Sequence, residues 1–185
     1  DEIDRLLEDL RRLLEEAERR VTEIIKRIKK LLEEHERRVR ELNKDLRRLL
    51  EEAEDVVRRK GPTEELEDLA RKLKETLEES LRRLEEHSRR LEKELRDLID
   101  ELRKLIKEVK DRLEEILREV EKRGVPEKAR RDLERVVTEI DRELKRLEED
   151  IRRVLEEVKR RSEDLRRSHR RVIEDIKRRL EELRR

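Results

Sequence analysis

An aliphatic residue returns at every seventh position along almost the whole of this chain. In the first third, one row runs Leu7, Leu14, Val21, Ile28, His35, Leu42, Leu49, Val56; a second runs Ile3, Leu10, Ala17, Ile24, Leu31, then slips by one to Ile25, Leu32, Val39, Leu46, Ala53. The middle third carries Ala70, Leu77, Leu84, Leu91, Leu98, Leu105 beside Leu81, Ser88, Leu95, Leu102, Val109, Ile116. The last third carries Val137, Leu144, Ile151, Val158, Leu165, Val172 beside Leu155, Ser162, His169, Ile176, Leu183. A seven-residue repeat kept this long implies helices in a left-handed supercoil, crossing at roughly 20°. Two to three apolar residues per heptad suit a core shared by three helices.

Punctuation divides the repeat. The only two glycines and two prolines stand in Gly61-Pro62-Thr63 and Gly124-Val125-Pro126. Each glycine follows basic residues, which suits a helix C-terminus, where the dipole favours positive charge and a left-handed residue ends the helix. Thr63 is placed to cap the next helix through its hydroxyl, ahead of Glu64 and Glu65. Pro126 suits the first turn of the last helix. The expected fold is therefore all-α: one domain over residues 1–185, with helices at about 2–60, 64–123 and 126–184. Helices of about 60 residues, each roughly 90 Å long and joined by loops this short, form an elongated up-down-up three-helix bundle with coiled-coil packing.

A chain with 60% charged residues invites the suspicion of disorder, and the periodicity answers it. The 56 basic and 55 acidic side chains nearly cancel and alternate throughout, so no basic face is set aside for a nucleic acid. The absence of aromatic residues removes base-stacking platforms and the usual interface anchors. With no cysteine there is neither a disulfide nor a thiolate. Asp1-Glu2-Ile3-Asp4 is acidic and unlike a secretory leader, and no apolar run approaches the roughly 20 residues of a membrane span. The expectation is a soluble chain with no membrane association, suited to recombinant cytoplasmic expression.

The polar exceptions to the repeat align. Folding back at the two glycine-proline turns sets His35 opposite roughly position 89, beside His87 and Ser88, and sets Ser88 opposite roughly Ser162. By the same construction Asn43 lies near Ser80, and Ser80 lies near Ser168 and His169. The single asparagine, all four serines and all three histidines thus fall at two neighbouring levels. Buried polar groups left unpaired cost roughly 1 to 3 kcal/mol each, and imidazole, hydroxyl and amide groups together are able to satisfy one another. The set His35, His87, Ser88, Ser162 and the set Asn43, Ser80, Ser168, His169 are therefore read as buried hydrogen-bond networks that specify register and helix pairing. Thr22, Thr76 and Thr138 face no polar partner and read as ordinary flank residues.

Sharper chemistry is weaker. Three buried histidines suggest a pH-responsive bundle that loses stability as pH falls, because burial disfavours imidazolium. No cofactor or metal is expected: the positions three residues before the histidines are Leu32, Leu84 and Arg166, whereas a helical di-metal site has glutamate there. Serine near histidine suggests a dyad, yet no oriented carboxylate or oxyanion hole accompanies it, so no enzyme and no small-molecule substrate is expected. Widened stripes such as Leu6 with Leu7 and Leu49 with Leu50 leave room for a partner helix or a homo-oligomer, although a monomer is favoured.

Idealised heptads, near-equal helices, Gly-Pro loops, the absence of aromatic residues, Met, Cys and Gln, and polar residues at aligned core levels resemble a de novo designed helical bundle with histidine-containing hydrogen-bond networks. That resemblance covers the whole chain and implies a scaffold with no natural substrate, cofactor or address.

Overall fold

A computed structural model describes residues 2–61 and 63–185, the side chain of Glu2 excepted. Pro62 and Asp1, read above as part of the first turn and of the acidic N-terminus, lie outside the described residues. The elements are α1 (Glu2–Lys60), α2 (Glu64–Arg123) and α3 (Glu127–Arg184), of 59, 60 and 58 residues. They form an all-α three-helix bundle, as the heptads and the two turns require.

The helix ends follow from local chemistry. Gly61 takes φ of 75° and donates its N–H to the Val57 carbonyl at 2.9 Å, the left-handed closure that a Cβ would strain. Arg58, Arg59 and Lys60 occupy the last turn of α1, and Glu64, Glu65 and Glu67 the first turn of α2. Thr63 caps α2 differently from expectation. Its carbonyl accepts from Leu66 at 3.1 Å and Glu67 at 3.3 Å, while its hydroxyl has no hydrogen-bond partner. The tight bond to the Leu66 N–H occupies the donor that a capping hydroxyl would use. Helix α3 also begins one residue later than expected: Pro126 is the last residue before it, its carbonyl accepting from Arg130 at 3.0 Å.

Two compact units make up the chain, Asp1–Lys29 with Glu94–Glu157 and Lys30–Lys93 with Val158–Arg185, and every helix supplies a segment to each. In the first unit, buried Leu10, Leu14, Ala17, Val21, Ile24 and Ile28 of α1 join Leu102, Val109 and Ile116 of α2 and Ile140, Leu144 and Ile151 of α3 in the core. All but Ile140 fall on the heptad rows read from the sequence; Ile140 belongs with buried Leu133, Leu147 and Val154 to a row not read there, while Val137 and Leu155 are half-buried. Arg20 pairs with Glu101 and Arg27 with Glu94, and a step of seven up α1 matching seven down α2 makes the two antiparallel. Thr22 and Thr138 bond only to carbonyls of their own helices, Glu18 and Glu134.

In the second unit Leu46 and Leu50 of α1, Ala70, Leu73 and Leu77 of α2, and Val172, Ile173, Ile176 and Leu180 of α3 form one cluster. Ala53, Val56 and Leu66 form a smaller one near the first turn. Full burial of each Leu or Ile contributes roughly 1.5 to 3 kcal/mol, so these layers carry the stability. Partners rise together along α1 and α3, from Glu36 with Arg161 through Asn43 with His169 to Glu54 with Arg179, so the two run parallel. Between α2 and α3 they run oppositely, Glu67 with Arg184 and Glu92 with Arg166. This is the up-down-up order. No described helix is long and apolar enough to cross a membrane.

Candidate functional site

The second unit holds nearly all of the chain's uncharged polar side chains, because the heptad rows of its helices substitute His and Ser for Leu. His35, Ser80 and His169 are 6%, 3% and 2% exposed, as deeply placed as the leucines around them. His87, Ser88, Asn43 and Ser162 are half-buried, and Ser168 is exposed. Ser168 stands one position from the inward row that contains His169, which on a helix turns it by about 100° towards solvent. It therefore stands outside the buried set.

Two contacts join the polar groups. His169 Nδ1 lies 2.7 Å from Asn43 Oδ1, linking α3 to α1. An amide oxygen only accepts, so the ring proton sits on Nδ1 and Nε2 is left as an acceptor. That Nε2 is buried with no hydrogen-bond partner. Burial lowers the His169 pKa from the ordinary 6.5, which keeps the ring neutral.

The second contact is the His35–His87 pair, with ring centroids 5.3 Å apart and planes inclined by 43°. Arg38 reaches His87 with one guanidinium nitrogen 2.8 Å from Nε2 and 3.2 Å from Nδ1, and the shorter contact is a hydrogen bond only if Nε2 is unprotonated. The charges here are mostly positive. His35 is pushed below 6.5 by burial first, then by His87, Arg166 and Arg38, against a weaker pull from Glu36. His87 is lowered by burial, then Arg38 and Arg90, against Glu34. His35 Nδ1 has no hydrogen-bond partner.

The remaining residues are not joined. Ser80 Oγ is buried without a partner, and neither Ser88 nor Ser162 hydrogen-bonds to another of the polar residues. Straight helices folded at residue 125 would put Ser88 opposite Ser162. In the structure Arg38 with His87 and Glu36 with Arg161 keep Ser88 and Ser162 at neighbouring levels, and Ser88 also lines a groove with Arg166, His169 and Arg170.

Comparison with protein-family models finds no match, and none is found among curated proteins or solved structures.

Sequence reasoning missed the charged partners. Arg161 grips Glu36 with two bonds, 2.7 and 2.9 Å, beside the His35 level and part-buried. A signal was present: Glu36 to Arg161 spans 125 residues and Asn43 to His169 spans 126, one offset for both. Among the described residues no group of three or more His, Asp or Glu side chains is arranged to hold a metal ion. What the set does chemically is orient a neutral imidazole and hold two imidazoles in tilted contact.

Proposed function

We propose that this chain is a structural scaffold of de novo design, whose inward polar residues specify which helix faces pair. The observation that carries the reading is the bond between half-buried Asn43 of α1 and buried His169 of α3. A hydrogen bond of this kind adds only about 1 kcal/mol net, but a shift of α3 along α1 leaves both partners unpaired in an apolar core at several times that cost. The bond therefore discriminates between registers more than it stabilises any one of them. The idealised heptads and glycine turns support design as the origin, and the reading includes no catalysis, cofactor or cellular partner.

Replacing the pair together by Asn43→Leu and His169→Leu tests this. The double variant is expected to be as stable as the parent or more so, and to lose uniqueness, seen as extra amide resonances or mixed masses by light scattering. A double variant with one sharp set of resonances and the parent's mass would overturn the specifying role.

A second reading, a pH-responsive bundle, rests on the His35–His87 contact. Arg38 on α1, Arg90 on α2 and Arg166 on α3 surround it with positive charge, and Glu34 and Glu36 oppose them. Protonating either ring adds a cation to that group, and protonating His87 also removes the acceptor that Arg38 uses.

A further inference from the structure

We propose that the seam between α2 and α3 in the first unit binds a medium-chain fatty carboxylate, its alkyl chain laid along the seam and its carboxylate held between Lys107 and Arg152. A groove of about 450 Å³ runs there, with Ile106 of α2 and Ile151 and Leu155 of α3 as its apolar lining. That size falls within the roughly 300 to 1,000 Å³ of small-molecule sites, which combine apolar walls with a few convergent polar groups.

This seam is the looser side of the unit's core. Ile106 and Ile151 remain 8% and 9% exposed, whereas Leu10, Ile24 and Ile28 of α1 are 1 to 2% exposed, and Leu155 is only half-buried. The lining offers branched aliphatic groups and neither aromatic rings nor hydroxyls, so it suits a hydrocarbon chain better than a flat or polar ligand. Two helices side by side make the groove long and narrow. From Arg103 to Lys110 the α2 wall extends about 10 Å, a trough shaped for an unbranched chain.

The rim decides the charge. Four cations and one carboxylate line the groove, an excess of three positive charges on a chain whose total is +1. Arg103, Lys107 and Lys110 recur at i, i+4 and i+7, which gathers them on one face of α2. Lys110 pairs with Glu148. Counting from that pair along the antiparallel helices sets Lys107 opposite Ile151 and Arg152 opposite Ile106, so the two cations flank the trough within about one residue of the same level. Among the described residues neither they nor Arg103 make an ion pair or a hydrogen bond. All three are exposed, and long basic side chains extend apolar walls with their stems while their heads stay in water. An anionic head on an aliphatic chain matches both features at once. The α2–α3 groove of the second unit, with three guanidiniums against two carboxylates, has an excess of only one.

The test is a titration of the full chain, carrying ¹³C-labelled isoleucine methyls, with decanoate and separately with decanol, both below the concentration at which they aggregate. The expected result is a saturable shift of the Ile106 and Ile151 methyls with decanoate, Ile173 and Ile176 of the second unit unmoved, and about tenfold weaker binding of decanol, which lacks the charge. A variant combining Lys107→Glu and Arg152→Glu, both at exposed positions, is expected to stay helical by circular dichroism and to bind decanoate at least about tenfold more weakly. Equal affinity for decanoate and decanol, no shift at Ile106 and Ile151, equal shifts at Ile173 and Ile176, or undiminished binding by the charge-reversed variant would each overturn the proposal. A doubled mass by light scattering without ligand, abolished by the same variant, would assign the groove to a second copy of the chain and overturn it as well.

Discussion

His169 on α3 donates from Nδ1 to Oδ1 of Asn43 on α1 across 2.7 Å, and this one bond sets the tautomer of a ring that is 2% exposed. Asparagine was the necessary partner, since a leucine at that position would leave both ring nitrogens without a protein partner. Asn43→Leu is therefore expected to destabilise the chain by roughly 1 to 3 kcal/mol. Adding His169→Leu should recover that loss in full or more, because two apolar groups replace two polar ones. Chemical denaturation of the parent, both single variants and the double variant gives the coupling directly, and purely additive effects would mean the bond contributes nothing.

Ser80 presents the opposite case. Its hydroxyl is buried at 3% exposure with no partner, so it carries a desolvation cost and no compensating bond. Ser80→Ala is expected to be neutral or to stabilise by about 0.5 to 1 kcal/mol, read from the denaturation midpoint. A loss exceeding about 1 kcal/mol would show that the hydroxyl is bonded in solution.

The Glu36–Arg161 pair differs from the other ion pairs. Its side chains are 19% and 27% exposed and meet through two bonds, whereas Arg27 and Glu94, at 60% and 42% exposed, meet through one. Glu36→Gln is expected to cost about 1 to 2 kcal/mol with weak salt dependence, since two charge-assisted bonds to a partly desolvated guanidinium are weakened. Glu94→Gln should cost under about 0.5 kcal/mol. Equal losses would remove the distinction.

The histidines give a pH dependence of definite sign. All three have folded pKa values below the ordinary 6.5, with burial the leading cause at each. As pH falls the unfolded chain takes up protons first, so their contribution is complete above about 6.5 and declines as pH drops towards the depressed folded values. Ordinary carboxylates titrate near 4, so melts at about pH 7.5 and about pH 5.5 isolate the histidine effect. The expected result is a lower midpoint at the lower pH, and a smaller drop in a variant combining His35→Gln, His87→Gln and His169→Gln. An unchanged drop in that variant would assign the effect elsewhere.

Gly61 carries the first helix stop at φ 75°, with open space where a Cβ would stand. Gly61→Ala is therefore expected to cost only the backbone strain of a left-handed residue, roughly 1 to 2 kcal/mol, measured by thermal unfolding. A larger loss would indicate a side-chain clash that the structure does not contain.

The three helices, their ends to within one residue and part of their core rows were legible in the chain itself; the buried rows Leu66, Leu73, Ser80 and Leu133, Ile140, Leu147, Val154 were not. Helical periodicity and glycine turns are local properties, and local properties act before any tertiary contact forms. Placement of His35 and His169 in the core followed from the same rows. Tertiary packing decided what the polar groups touch. Ser88 and Ser162, brought to neighbouring levels by the Arg38–His87 and Glu36–Arg161 contacts, make no hydrogen bond to each other. Arg38, which meets His87, and Arg161, which meets Glu36, are long charged side chains on the flanks whose reach spans several positions, and the α1–α3 offset near 125 that would point to Arg161 becomes readable only once Asn43 and His169 are known to meet. Sequence alone determined which residues face inward, because that depends on period. Only the packed structure decided which of them meet, because a hydrogen bond depends on fractions of an ångström and the repeat specifies position only to the nearest turn.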